Sequence, residues 1–151
     1  MKKFSYILLV SFFILSNSFK PAEEIKWLDF KTGYETAKKK KKLMLVDVYT
    51  EWCGWCEVMD RETYAKSEIA AVINESFVPV KFNPEVPAEY AYEGKNYAGK
   101  DLQGVISNYQ LRGYPATIFI NTKTKKTSLV SGYKNPQQFT EVLNGVKTEL
   151  K

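Results

Sequence analysis

Two cysteines stand in the 151-residue sequence, at positions 53 and 56 of the segment Trp52-Cys53-Gly54-Trp55-Cys56. Thiols at this spacing can carry two-electron exchange, in which one thiolate attacks a disulfide and the other resolves the mixed disulfide that forms. The flanking residues assign the roles. LMLVDVY, from Leu43 to Tyr49, has the length and apolar character of a strand covered on both faces, and the charged stretch from about Cys53 to Tyr64 reads as a helix. At a helix start, unpaired N–H groups and the positive dipole end favour thiolate over thiol, which makes Cys53 the nucleophile. Cys56, one turn further on the same side, is then the shielded resolving thiol. A permanent staple and half of an intersubunit metal site are the inert alternatives. A four-residue ring removes little chain entropy, so a staple here contributes little. The sequence has no histidine, which excludes a Ser-His-Asp triad, a His-ligated zinc and an imidazole proton shuttle. We therefore expect no metal, and no cofactor beyond the Cys53–Cys56 disulfide itself.

The elements that hold this pair are legible on both sides of it. Glu23 to Phe30 reads as a short edge element and Thr32 to Lys42 as a helix ending in five lysines, a solvated helical end or, alternatively, an anionic-membrane contact. Ser67 is placed to cap a helix with Ile69, Val72 and Ile73 at i, i+3 and i+4. FVPVKF, Phe77 to Phe82, is the next strand, with Pro79 marking an irregular or edge position. Asn83 to Lys100 reads as a long connection. Leu102, Val105, Ile106 and Tyr109 form a helical stripe, Arg112 to Pro115 a turn, and Ala116 to Ile120 a strand with an antiparallel partner at Ser128 to Tyr133. Asn135 as N-cap and Pro136 at N1 open a last helix striped by Phe139, Val142, Leu143, Val146 and Leu150. Alternating strands and helices, closing on a hairpin and a helix, predict a three-layer α/β domain.

Lys2, Lys3, the apolar run Phe4 to Leu15 and the small residues Ser16-Asn17-Ser18 have the layout of a secretory signal peptide over residues 1–18, leaving a domain at 19–151. The apolar run is short for a membrane span, so an uncleaved anchor is the lesser alternative. Removing the segment takes Lys2 and Lys3 with it, and the formal charge falls from +5 to +3. That balance gives nucleic-acid binding no support. Gly94 to Lys100 has the GxxxxGK pattern of a phosphate loop, but Asp101 stands where a magnesium-binding hydroxyl belongs and no apolar strand precedes it, so no nucleotide is expected. Export is consistent with disulfide exchange, because disulfides persist outside the cytosol.

VDVYTEWCGWC, from Val46 to Cys56, resembles the active-site segment of the thioredoxin-like superfamily, and Tyr114-Pro115 before a strand is similar to its cis-proline turn. With MDRETYAKSEIAAVINESFVPVKF, Met59 to Phe82, the likeness is closer to exported domains akin to the C-terminal domain of DsbD than to ordinary thioredoxin. The resemblance implies a thioredoxin fold, three-layer α/β/α with a central mixed sheet, and a periplasmic or otherwise extracytoplasmic thiol-disulfide oxidoreductase of the reductase type. Disulfide-containing proteins would be its substrates and a membrane electron donor its partner. It implies that Asp47 accepts the Cys56 proton, that Trp52, Gly54 and Trp55 face the substrate, and that the backbone of Tyr114 beside a cis Pro115 pairs with it. The alternatives are an Asp47 that reaches solvent, tryptophans that serve as core or lid, and, for the whole chain, an oxidase or isomerase or a redox-idle binding module. Gly54-Trp55 in place of Gly-Pro, and Glu57 after the second cysteine, depart from the superfamily pattern.

Overall fold

The computed structural model describes residues 23–150, so the expected signal segment lies outside the described residues. The elements run α1 (Phe30–Lys40), β1 (Leu43–Val48), α2 (Gly54–Met59), a π-helical turn (Asp60–Tyr64), α3 (Ser67–Ser76), β2 (Phe77–Phe82), β3 (Glu89–Tyr92), β4 (Lys95–Ala98), α4 (Gly99–Ile106), β5 (Ala116–Ile120), β6 (Thr127–Ser131) and α5 (Pro136–Glu149). The main sheet has the order β2-β1-β5-β6, with β1 parallel to β2 and antiparallel to β5. It is therefore mixed. Pro79, which cannot donate to a ladder, sits on edge strand β2, as its chemistry requires.

Strand alternation divides the core into two layers. Met44, Val46 and Val48 of β1 join Ile118 and Ile120 of β5 under α1 and α4, while Leu45 and Phe119 point the other way, among residues of α3 and α5. Asp47 and Thr117 share that second face by the same period of two, and they are register partners. Helices thus cover both faces, and the three-layer arrangement expected from the sequence is present.

Four local expectations need correction. Glu23 to Phe30 makes no strand; its one ladder contact is the parallel bridge Leu28 to Val80, and Asp29 instead caps α1 by accepting from Thr32 N. Ser67 is the first helical residue rather than the cap, and Lys66 occupies the cap without a side-chain bond. Tyr109 leaves the α4 stripe: the helix stops at Ile106, and Tyr109, 70% exposed, has a left-handed φ of 58°. The Asn83–Lys100 connection is structured. Its Glu93-Gly94 turn, with φ of 50° and 77°, closes the β3–β4 hairpin, a two-residue turn with both φ positive that suits strand twist. Tyr90 and Tyr92 pack from this hairpin against Phe30, with ring centroids 6.0 and 6.1 Å away.

Candidate active site

β1 delivers the chain to the site, and its last polar residues set the geometry. Thr50 O accepts from Cys53 N at 3.1 Å, which turns the backbone into α2 with Cys53 at the N-cap. Cys53 and Cys56 are joined, with 2.09 Å between sulfurs and 5.3 Å between Cα atoms. Cys56 N donates to Cys53 Sγ at 3.2 Å, so the helix start aims a donor at the first sulfur, as the thiolate argument requires. In this disulfide form the two cysteines are equally covered, at 6% and 5% exposure. The expected difference in shielding is not visible here, because the ring ties Cys53 Sγ back over the first helical turn.

Around the disulfide stands an aromatic rim. Trp52 and Trp55 are 68% and 61% exposed, which rules out core roles for both. Trp52 donates from Nε1 to Glu85 at 2.9 Å, and Glu85 also accepts from Lys100 at 2.8 Å. The Trp52 ring meets Tyr114 edge-on at 5.6 Å, and Tyr114 OH donates to Gln103 at 2.6 Å. The Tyr114–Pro115 bond is cis, and Ala116, next in sequence, pairs with Val48 at the end of β1. Trp55 leans on Tyr133 at 5.5 Å, and Gly54 has open space above it. The structure thus brings Trp52 to Tyr114 and sets Trp55 on the Tyr133 side.

Beneath the rim lies a buried charge network. Asp47 is 2% exposed, which removes the solvent-reaching alternative. Its Oδ2 lies 2.6 Å from Lys81 Nζ and its Oδ1 accepts from Tyr64 OH at 3.3 Å; Tyr64 OH also meets Thr117 Oγ1 at 3.0 Å. Lys81 makes a second ion pair, 2.6 Å to Asp60 Oδ1, and its ammonium sits 5.0, 5.1 and 5.6 Å from the ring centroids of Trp27, Tyr49 and Tyr64. Burial pushes the Asp47 carboxyl above its ordinary range, with Lys81 opposing and the Asp60 charge assisting. Burial pulls the Lys81 ammonium down, but its two carboxylates outweigh that and hold it above its usual value. Tyr64 is driven well up, by burial first and then by the Asp47 charge.

Lys81, Asp60, Tyr64 and Glu85 escaped the sequence reading. One signal for Lys81 was present: LMLVDV and FVPVKF each carry a lone charge at their fifth position, and the parallel register pairs Asp47 with Lys81. Asp60 and Glu85 sit in stretches rich in charge, where nothing marks them out.

A mixed four-stranded sheet between helices, with a CxxC disulfide capping the helix after β1, defines a thioredoxin-fold, disulfide-oxidoreductase-like protein. Over residues 9–150 the chain matches the model of Thioredox_DsbH, described as a protein of unknown function, DUF255, and it belongs to that family. Among solved structures it is similar to a putative disulphide-isomerase from Bacteroides thetaiotaomicron, at 26% identity and TM-score 0.61, covering 85% of this chain and 98% of that one. It also shares the fold of the Neisseria meningitidis DsbD C-terminal domain in its oxidised form, at 18% identity and TM-score 0.56, covering 76% and 89%. Human spermatogenesis-associated protein 20 is 27% identical over 73 residues, which span 48% of this chain and 9% of that protein.

Proposed function

We propose that the chain is an exported thiol-disulfide oxidoreductase that reduces disulfides in envelope proteins and is recharged by a membrane electron donor. The observation that carries the proposal is the Cys53–Cys56 disulfide at the N-cap of α2, flanked in sequence by two exposed tryptophans. In the reduced form Cys53 thiolate attacks one sulfur of a substrate disulfide, whose other sulfur leaves with the bonding electrons. Asp47 takes the proton from Cys56. The Cys56 thiolate attacks Cys53 Sγ, the mixed disulfide breaks, and the second substrate sulfur departs as a thiolate that is protonated from solvent. Substrate gains two electrons and the Cys53–Cys56 disulfide re-forms. Trp52, Gly54, Trp55 and Tyr114, with Pro115 buried behind them, form the surface against which an extended segment bearing the disulfide is held.

Insulin reduction by dithiothreitol, followed by turbidity with wild type and with Cys53→Ser, tests the activity. A faster onset with wild type alone is expected, and equal curves reject catalysis in favour of a redox-idle binding module. Likeness to the putative disulphide-isomerase from Bacteroides thetaiotaomicron makes isomerisation the second reading. Equilibration of the purified domain against glutathione separates the two, since a reductase must hold its disulfide at a more reducing potential than an isomerase does.

A further inference from the structure

Lys81 is shared. Its single ammonium stands 2.6 Å from Asp47 and 2.6 Å from Asp60, two carboxylates of unlike surroundings: Asp47 is buried, whereas the Asp60 side chain is 46% exposed. Asp60 continues the last turn of α2, its N–H on Cys56 O, and opens the π-helical turn, where Ala65 N donates to Asp60 O at 2.9 Å, five residues back. Asp60, Tyr64 and Lys81 also line a pocket of about 390 Å³ together with Trp27 and Glu24, so this end of the network meets solvent.

We infer that Asp60 is a positioning residue for Asp47, acting through Lys81. The Asp60 charge opposes the field of Lys81 at Asp47, and its ion pair holds the ammonium between two carboxylates instead of against one. The groups that face Asp47 are Lys81 from β2, Tyr64 and Asp60 from the π-helical turn, and Thr117, uncharged, from β5. Trp27, Tyr49 and Tyr64 pack around Lys81, Glu23 and Glu24 line the same pocket, and among the described residues only Asp47 and Asp60 pair with its ammonium within 4 Å. Asp60 is thus the one further carboxylate bonded to the Lys81 ammonium, and removing its charge releases Lys81 wholly to Asp47. A freed Lys81 favours ionised Asp47, which then makes a weaker base for Cys56. This inference rests on Asp47 being the proton acceptor.

The test is Asp60→Asn, with Asp60→Glu as the conservative control, in the full reduced domain. Carboxyl ¹³C NMR should show Asp47 titrating roughly one pH unit lower in the Asn variant and near the wild-type position in the Glu variant. The rising limb of the resolving rate, followed by stopped-flow decay of a preformed Cys53 mixed disulfide, should move the same way. It should stay where it is when Asp60→Asn is added to Asp47→Asn. An unmoved Asp47 titration overturns the role of Asp60 and leaves Asp47 as acceptor standing. A moved titration with an unmoved rate profile removes Asp47 from the resolving step, and this role for Asp60 with it.

Discussion

The rim and the floor of the site are built on opposite principles. At the rim, Trp52 and Trp55 expose most of their surface; Glu85 and Tyr114 steady the first and Tyr133 the second. At the floor, Asp47, Lys81, Tyr64 and Thr117 hold one another at 2.6 to 3.3 Å, with the carboxylate sealed from water. Apolar surface left in water lowers no free energy in the isolated domain, so the rim acts only when something covers it. A buried charge raises the free energy of the domain at all times, so the floor is costly even at rest. Disulfide exchange needs both, a surface that waits for a partner and a base tuned before one arrives.

The largest effect should fall between these layers. Cys53→Ser should reduce insulin turnover to background, whereas Cys56→Ser should retain attack and accumulate mixed disulfides visible on non-reducing gels. Trapping by the Cys53→Ser variant instead would reverse the two roles. Alkylation by iodoacetamide well below about pH 8.5 should be confined to Cys53 in the reduced protein.

Next comes the floor. Asp47→Asn removes the proposed proton acceptor, and the resolving step should slow by roughly 100-fold near neutral pH in single-turnover kinetics. From its position inside LMLVDVY, Asp47 reads as an unpaired buried charge whose removal would stabilise the fold by about 1 to 3 kcal/mol. The structure corrects that premise, because Lys81 pairs with it. Its carboxyl is still held above the ordinary range, so burial outweighs the pairing, and Lys81 keeps Asp60 when Asp47 is neutral. The expected gain is therefore nearer about 1 kcal/mol at pH 7. A carboxyl raised in the folded state loses stability as pH climbs from its unfolded value, about 3.9, through its folded one, so the gain of the Asn variant should vanish toward pH 4. Urea melts of the oxidised forms at both pH values measure it; a gain that grows on acidification would contradict the raised carboxyl.

The rim should respond differently. Trp52→Ala and Trp55→Ala should each raise KM for a protein disulfide by about fivefold, roughly 1 kcal/mol, while leaving the urea midpoint in place. A lowered midpoint with unchanged KM would turn these rings into structural parts. Smallest of all is Glu85→Gln, which loosens the Trp52 indole and releases Lys100; a KM change within about twofold is expected, and it should be absent in a Trp52→Ala background.

Where physics acts along the chain, the sequence was sufficient to read it. LMLVDVY and ATIFI give their strands because both faces are buried, and Asn135, Pro136 and Gln138 write the start of α5 as a capping box. Cys53 and Cys56 were legible because helix polarity is local. The hairpin within Asn83–Lys100 was missed because its turn uses Glu93 at a positive φ, where Asn or Gly would have announced it. Lys81 and Asp60 were missed for another reason: a residue's partner across a sheet depends on register, and a pairing between a helix end and a strand depends on how the two pack.

That register gives the Asp47–Lys81 pair a second consequence, for how the chain chooses one pairing among neighbours. β1 and β2 are both apolar over almost their full length, and hydrophobic burial alone scarcely distinguishes the native alignment from one slipped by a residue. A slip of one sets Asp47 opposite Val80 or Phe82 and turns Lys81 to the far side of the sheet, leaving a sealed carboxylate facing hydrocarbon. Each charge thereby penalises every misalignment that separates it from the other, so the pair that tunes Asp47 also favours one alignment of β1 on β2 over its neighbours.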